Sequence, residues 1–133
     1  MRSLREIGGD AAKIVLAGYS RAFSYEKGKP LPEKQLKFLS VLVKKYGKVE
    51  DLQTIAGNYD AVYAFAEGIR RAGSTDSGKV KAALETIRDF EGMGTRISFT
   101  PDDHDAYKKG KQGFTIVYAS AFTKESLPQR VEP

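Results

Sequence analysis

The strongest constraint on this chain is a helical apolar repeat. Leu52, Ile55, Ala56, Tyr59, Val62, Tyr63, Ala66 and Ile69 recur at steps of three and four, which predicts one long amphipathic helix from about Asp51 to Ala72. Gly73 stops it, and Ser74-Thr75-Asp76 caps a successor. Two internal glycines, Gly57 and Gly68, weaken such a helix and imply close packing or a break.

The flanking segments have their own periods. Pro32 and Glu33 open a helix to about Tyr46, with Leu36, Leu39, Val43 and Tyr46 on one face and Gly47 as its stop. A third helix is expected from about Ser77 to Arg88, with Val80, Ala83, Leu84 and Ile87 inward. Period two replaces the helical period after Gly92 and Gly94: Ile97 and Phe99 alternate with Arg96 and Ser98, as in a half-buried strand. Lys13 to Ala17 reads as a short strand ended by Gly18, and Phe114 to Phe122 as another. Tyr19 to Pro32 and Pro101 to Gly113 read as loops, and Pro128 to Pro133 as an irregular tail. Three helices and three or four short strands make an α/β chain, large enough at 133 residues for one domain at most.

Composition removes several functions. With 41% hydrophobic and 29% charged residues the chain is ordinary for a globular protein, and no run approaches the length of a membrane span. The start lacks the basic and apolar pattern of a secretory signal, so as written the chain carries no export address. Zero cysteines exclude disulfides, thiolate metal sites and thiol catalysis. A net charge of +5 suits an anionic partner, which keeps a basic interaction or nucleic-acid-binding module as the alternative reading. The lysines are interspersed with acids, however, and the local excesses at Lys44-Lys45-Lys48 and Lys108-Lys109-Lys111 do not make a contiguous phosphate-binding face.

Catalytic constellations are weak. Asp102-Asp103-His104-Asp105 holds the only histidine, but consecutive loop residues diverge and match neither zinc nor calcium-loop spacing. Gly8-Gly9-Asp10-Ala11-Ala12-Lys13 lacks the preceding strand of a phosphate loop. No nucleophile elbow is present, and the carboxylates are scattered; an enzyme is not expected, nor a metal or other cofactor. Among the aromatics, Tyr59, Tyr63, Phe65, Phe90, Phe99, Phe114 and Tyr118 fall on core periodicity and are expected to be buried. Tyr19, Phe23 and Tyr25 lie in the first loop, where one of them could meet a ligand or partner.

Several blocks, in order, resemble the branched-chain amino-acid-type (leucine-binding-protein-like, type I) periplasmic binding proteins of ABC transporters. They are Ile7 to Ala12, Leu31-Pro32, Lys44 to Lys48, the Tyr59-Asp60-Ala61-Val62 helix, Ala72 to Asp76, Ala83-Leu84-Glu85, Phe90-Glu91-Gly92, and Ser98 to His104. Lys13 stands where that family usually has a glycine before the strand, and Gly92-Met93-Gly94 replaces its usual G-x-x-G. The resemblance implies an incomplete part of a two-lobed, Rossmann-like fold. It makes 1–133 a single partial domain: 1–12 a remnant of the second lobe, 13–29 a crossing, 30–112 a segment of the first lobe, and 113–133 the final crossing strand and tail. It further implies a solute-binding component of an importer, extracytoplasmic in the parent protein, that takes an amino acid or related carboxylate and meets a membrane permease. Phe99-Thr100-Pro101-Asp102-Asp103-His104 resembles members that take aromatic acids.

In such a receptor two lobes close around ligand, and this chain would hold one wall. The family's wall maps to Thr54 and Asn58, with Tyr59 beside them; Thr54 and Asn58 share a helix face and could orient a carboxylate, or could be ordinary helix polar residues. Helices that normally cover a sheet would expose their apolar stripes without it, so self-association of the chain is expected.

Overall fold

The computed structural model describes residues 7–30, 32–47, 49, 51–106, 113–118, 127, 128, 130 and 131. Among them are three α-helices, α1 (Glu33–Tyr46), α2 (Leu52–Ala72) and α3 (Ser77–Leu84), and four strands, β1 (Leu16–Ser20), β2 (Phe90–Glu91), β3 (Arg96–Ile97) and β4 (Phe114–Tyr118). The α/β class and the inventory of elements are those expected from the sequence.

Helix ends follow local chemistry. The Asp51 carboxylate accepts from the Thr54 N–H at 3.2 Å and caps α2; Asp76 caps α3 by accepting from the Lys79 N–H at 3.0 Å. Gly73 takes a left-handed conformation, φ 58°, and donates to the Ile69 carbonyl, closing α2. Helix α3 stops at Leu84, four residues short of the expected Arg88. The N–H groups of Thr86 and Ile87 turn tightly to Ala83 and Leu84, and the Ile87 carbonyl accepts from the Phe99 N–H at 3.0 Å. These i→i+3 bonds replace the i→i+4 ladder after Leu84 and so end the α-helix there.

Two antiparallel pairs form. Strands β2 and β3 are a short hairpin, Phe90 opposite Ile97. Strands β1 and β4 pair from Leu16 opposite Tyr118 to Ser20 opposite Phe114. The strand expected at Lys13 to Ala17 is thus shifted. Ile14 lies outside it and is exposed, and Gly18 sits mid-strand opposite Ile116 because the ladder to β4 carries the backbone past it. The Ser20 N–H continues the tie by donating to Gln53 Oε1 at 2.8 Å, fastening the strand end to the first turn of α2. Of the expected strand to Phe122, residues 119–122 lie outside the described residues, as do 107–112 with Lys108, Lys109 and Lys111.

The core forms where the sequence suggested a loop. Tyr19 and Phe23 are buried with Leu39, Leu52, Ala56, Val117 and Leu127. Neither Tyr19 nor Phe23 is placed to meet an external ligand; only Tyr25 of that trio is half-buried. Burial, followed by the charge of Asp51, pushes the Tyr19 phenol up to about 12. The opposite correction applies to the periodic aromatics. Tyr59, Tyr63 and Phe65 are exposed because α2 turns inward a stripe of Leu52, Ala56, Asp60, Ala64 and Gly68, and Phe114 and Tyr118 are exposed on β4, which turns Val117 inward. Small side chains allow a close approach: a Cβ on Gly68 would lie 2.6 Å from Leu84 Cδ2.

Asp60 is 3% exposed. Its carboxylate accepts from the backbone N–H groups of Met93 and Gly94, the latter at 3.1 Å. Gly92 fits only as glycine, since a Cβ there would stand 2.5 Å from Asp60 Oδ2 and 2.8 Å from the Thr95 carbonyl oxygen. From the far side Gln35 Nε2 donates to the Met93 carbonyl at 2.9 Å and Lys34 Nζ to the Gly92 carbonyl at 3.0 Å. The turn is therefore held by α1 and α2 together.

Asp60→Ala should lower unfolding free energy by about 1–3 kcal/mol, the cost of orphaning buried donors. Asp60→Asn, which keeps one acceptor oxygen, should lose less. Urea denaturation of both variants checks this, and equal losses would contradict the carboxylate's role as a double acceptor.

Candidate functional site

The expected wall residues sit on the N-terminal half of α2, and all three are exposed. Thr54 is engaged locally: its hydroxyl donates to Asp51 Oδ2 at 2.7 Å while its N–H is capped by the same carboxylate. Asn58 is one turn on, with the spacing that puts it on the same side of the helix. Tyr59 packs edge-on against Phe38 of α1, centroids 5.3 Å apart, and against Tyr63 at 4.5 Å. The adjacent Tyr63 hydroxyl, then partial burial, raises the Tyr59 phenol above its ordinary value.

Two concavities lie elsewhere. The larger, about 660 Å³, is an apolar groove formed by Phe65, Ile69, Val80, Leu84 and Phe99. At its rim Glu85 accepts from Lys81 and meets His104 Nε2 at 3.0 Å, and Lys81 first, then His104, lowers the Glu85 carboxyl. His104 is thus tied to α3, while Asp103 accepts from the Asp105 N–H at 2.9 Å to shape its own turn. Among the described residues no three His, Asp or Glu side chains group as metal ligands.

The smaller concavity, about 250 Å³, is polar and lies between the segment after β1 and the start of α1. Arg130 organises it. Its guanidinium donates to Ser24 Oγ at 2.9 Å, Glu26 Oε1 at 2.5 Å and the Arg21 carbonyl at 2.7 Å. Its backbone N–H donates to the Tyr25 carbonyl at 2.8 Å, and the Val131 N–H to the Ile116 carbonyl at 2.9 Å. Glu26, held mainly by Lys29 and further by Arg130, has a carboxyl below its ordinary value. The segment expected as an irregular tail has no regular element where it is described, and Arg130 and Val131 fasten it. Neither concavity is lined by Thr54, Asn58 or Tyr59.

Sequence reasoning did not single out Asp60, Gln53 or Arg130. Asp60 had a signal, being the one charge between Leu52 and Ala66, four residues from both Ala56 and Ala64. Arg130 had none, since its partners lie more than a hundred residues away.

With the geometry in place, the comparisons with known proteins agree on one class. A family model described as "Periplasmic binding protein" matches residues 2–118. The fold is similar to a periplasmic binding protein type 1 from Bordetella pertussis Tohama I, at 26% identity and a TM-score of 0.71, over 99% of this chain and 36% of that one. It is also similar to a leucine-binding protein, LivK, from Thermotoga maritima MSB8, at 29% identity and a TM-score of 0.63, over 87% of this chain and 30% of that one. No curated protein matches the chain. The architecture is part of a type I periplasmic-binding-protein fold. This chain belongs to the periplasmic binding protein family and spans about a third of the length of the structures it resembles.

Two outcomes follow from these contacts. Arg130→Ala should cost about 1–3 kcal/mol in urea denaturation and speed amide exchange at Val131, with Arg130→Lys intermediate. Glu67, held by Arg70 and then Arg71, has its carboxyl lowered from 4.5 to about 2. Because the folded value is depressed, its stabilisation is fully present above pH 4.5 and is lost as pH falls through about 2. NMR titration of the Glu67 carboxyl should show the low midpoint, and Glu67→Gln should flatten stability against pH over that interval.

Proposed function

We propose that this chain is part of the solute-binding component of an ABC importer for amino acids or related small carboxylates, aromatic acids included. The observation that carries the reading is the family match over residues 2–118, supported by the likeness to a leucine-binding protein. Binding and release, without catalysis, is the activity. Residues 1–12 are the remnant of the second lobe, 13–29 a crossing, 30–112 a segment of the first lobe, and 113–133 the last crossing and tail. The antiparallel pairing of β1 with β4 suits two crossings that run side by side.

In this reading Thr54, Asn58 and Tyr59 form one wall of the cleft. Asn58 offers a donor and an acceptor, Tyr59 an aromatic edge, and Thr54 positions the helix start through Asp51. The facing wall comes from the remainder of a longer protein, which works outside the cytoplasm with a membrane permease. The chain alone does not bind solute and associates with itself. The nucleic-acid alternative gains no support from the described lysines and arginines. Lys34, Lys37, Arg70, Arg71, Lys81 and Arg130 each pair with a carboxylate, Arg70 and Arg71 sharing Glu67, which offsets part of the positive charge locally.

Calorimetry on a two-lobed protein containing this chain should detect leucine or a small aromatic carboxylate. Asn58→Ala should weaken that binding about tenfold, the worth of about one hydrogen bond, without shifting the melting temperature. Saturable binding by the 133-residue chain alone, or an unchanged affinity in the Asn58 and Tyr59 variants, would remove the assigned wall.

A further inference from the structure

Three segments meet at Arg130. Its guanidinium, on a side chain 17% exposed, donates to Ser24 Oγ, to Glu26 and to the carbonyls of Arg21 and Ser24. A planar fork with fixed donor directions meets all these acceptors together in one orientation of the segment after β1. The backbone repeats the tie: the Tyr25 N–H donates to the Pro128 carbonyl at 3.1 Å, and the Arg130 N–H to the Tyr25 carbonyl at 2.8 Å. On its other side the last segment reaches β4, where the Val131 N–H donates to the Ile116 carbonyl at 2.9 Å. Strands β1 and β4 are thus joined twice, directly through their ladder and again through the last segment.

The ties are one-sided. From Tyr19 onward the chain enters the core: Tyr19, Ser20, Phe23 and Ser24 are buried, and the Ser20 and Arg21 N–H groups donate to Gln53 Oε1 at 2.8 Å and to the Gly113 carbonyl at 2.9 Å. Residues 7–14, by contrast, bond among the described residues only within their own turn, Ile14 to the Ala11 carbonyl and Lys13 to Asp10. We propose that Arg130 is a positioning residue, a clasp that makes the segment after β1, β4 and the last segment one rigid joint. Bending between residues 7–14 and the helices is then confined to the Leu16 end of β1. This rests on the reading of 13–29 and 113–133 as crossings between lobes, and adds how their joint regulates the cleft. Arg130 lies in a concavity that Thr54, Asn58 and Tyr59 do not line, so it acts on the approach of the two walls and not on solute. A joint that bends at one place offers the facing wall few orientations, and each population that cannot close on solute weakens the apparent affinity.

The cysteine-free sequence lets spin labels report only where cysteines are placed. In the 133-residue chain, diluted with unlabelled chain so that only intramolecular distances are read, the pair Leu16→Cys and Lys44→Cys spans the far end of β1 and α1. Electron–electron double resonance should give this pair a narrow distance distribution that Arg130→Ala broadens. Arg130→Lys, which keeps the charge without the fork, should broaden it as well. The pair Lys44→Cys and Lys79→Cys, between α1 and α3, should keep its width. Circular dichroism checks that each variant keeps its helices, and if Arg130→Ala does not, Glu26→Gln takes its place with a smaller broadening. In the two-lobed protein Arg130→Ala should weaken binding of leucine or a small aromatic carboxylate about tenfold, whereas Asn58→Ala should weaken binding and leave the distances unchanged. An unchanged Leu16–Lys44 width in the folded variants, or equal broadening of both pairs, would overturn the clasp. An unchanged affinity beside a broadened distribution would overturn its control of the cleft. A two-lobed protein that takes no such solute would remove the solute reading, while the distances still decide the clasp.

Discussion

The union of α1, α2 and the β2–β3 hairpin depends on the buried Asp60 carboxylate. A charge inside a protein is costly unless its hydrogen-bonding capacity is used. Here the Met93 and Gly94 amides use it, and the absent side chain of Gly92 lets them come close enough. Gln35 and Lys34 grip the carbonyls of the same turn from α1. Gly94 completes the contact by lying under Phe23, where a Cβ would stand 2.8 Å from the ring. One carboxylate thus ties α2, the β2–β3 hairpin, α1 and the core aromatic of the segment after β1. In this chain the shortened glycine pattern Gly92-Met93-Gly94 has a physical role: one glycine clears the acceptor and the other clears a ring.

Placing Asp60 inward decides what α2 shows outside. The small residues Ala56, Ala64 and Gly68 line up with it and allow α3 to approach through Leu84. The larger Tyr59, Val62, Tyr63 and Phe65 are left on the opposite side. Periodicity alone sees a wide apolar stripe and assigns its bulkiest members to the core. Close packing selects the narrow, small-residue edge of that stripe, because only small side chains permit two backbones to meet. The β1–β4 pair behaves alike: Val117 and Tyr19 turn to the core, while Leu16, Ile116 and Tyr118 face out.

The candidate wall is only partly legible for a related reason. The i, i+4 relation of Thr54 and Asn58 follows from helical geometry, and both are indeed exposed together. That the Thr54 hydroxyl serves Asp51, and that Tyr59 leans on Phe38, are facts of capping and packing. The Arg130 clamp was invisible beforehand, because a contact between distant residues leaves no periodic trace.

By itself the sequence determined the three helices, the glycine stops of α1 and α2, the aspartate caps of α2 and α3, the α/β class and the family, since these rest on local periods, short-range hydrogen bonds and ordered motifs. Tertiary structure decided which edge of α2 is inside, where α3 ends, how far β1 runs and that Tyr19 and Phe23 are core. Each of those outcomes turns on a partner far along the chain: Met93 for Asp60, Phe99 for Ile87, β4 for Gly18 and Leu127 for the core. Local propensity ranks the conformations available to a segment, and the long-range partner selects among them.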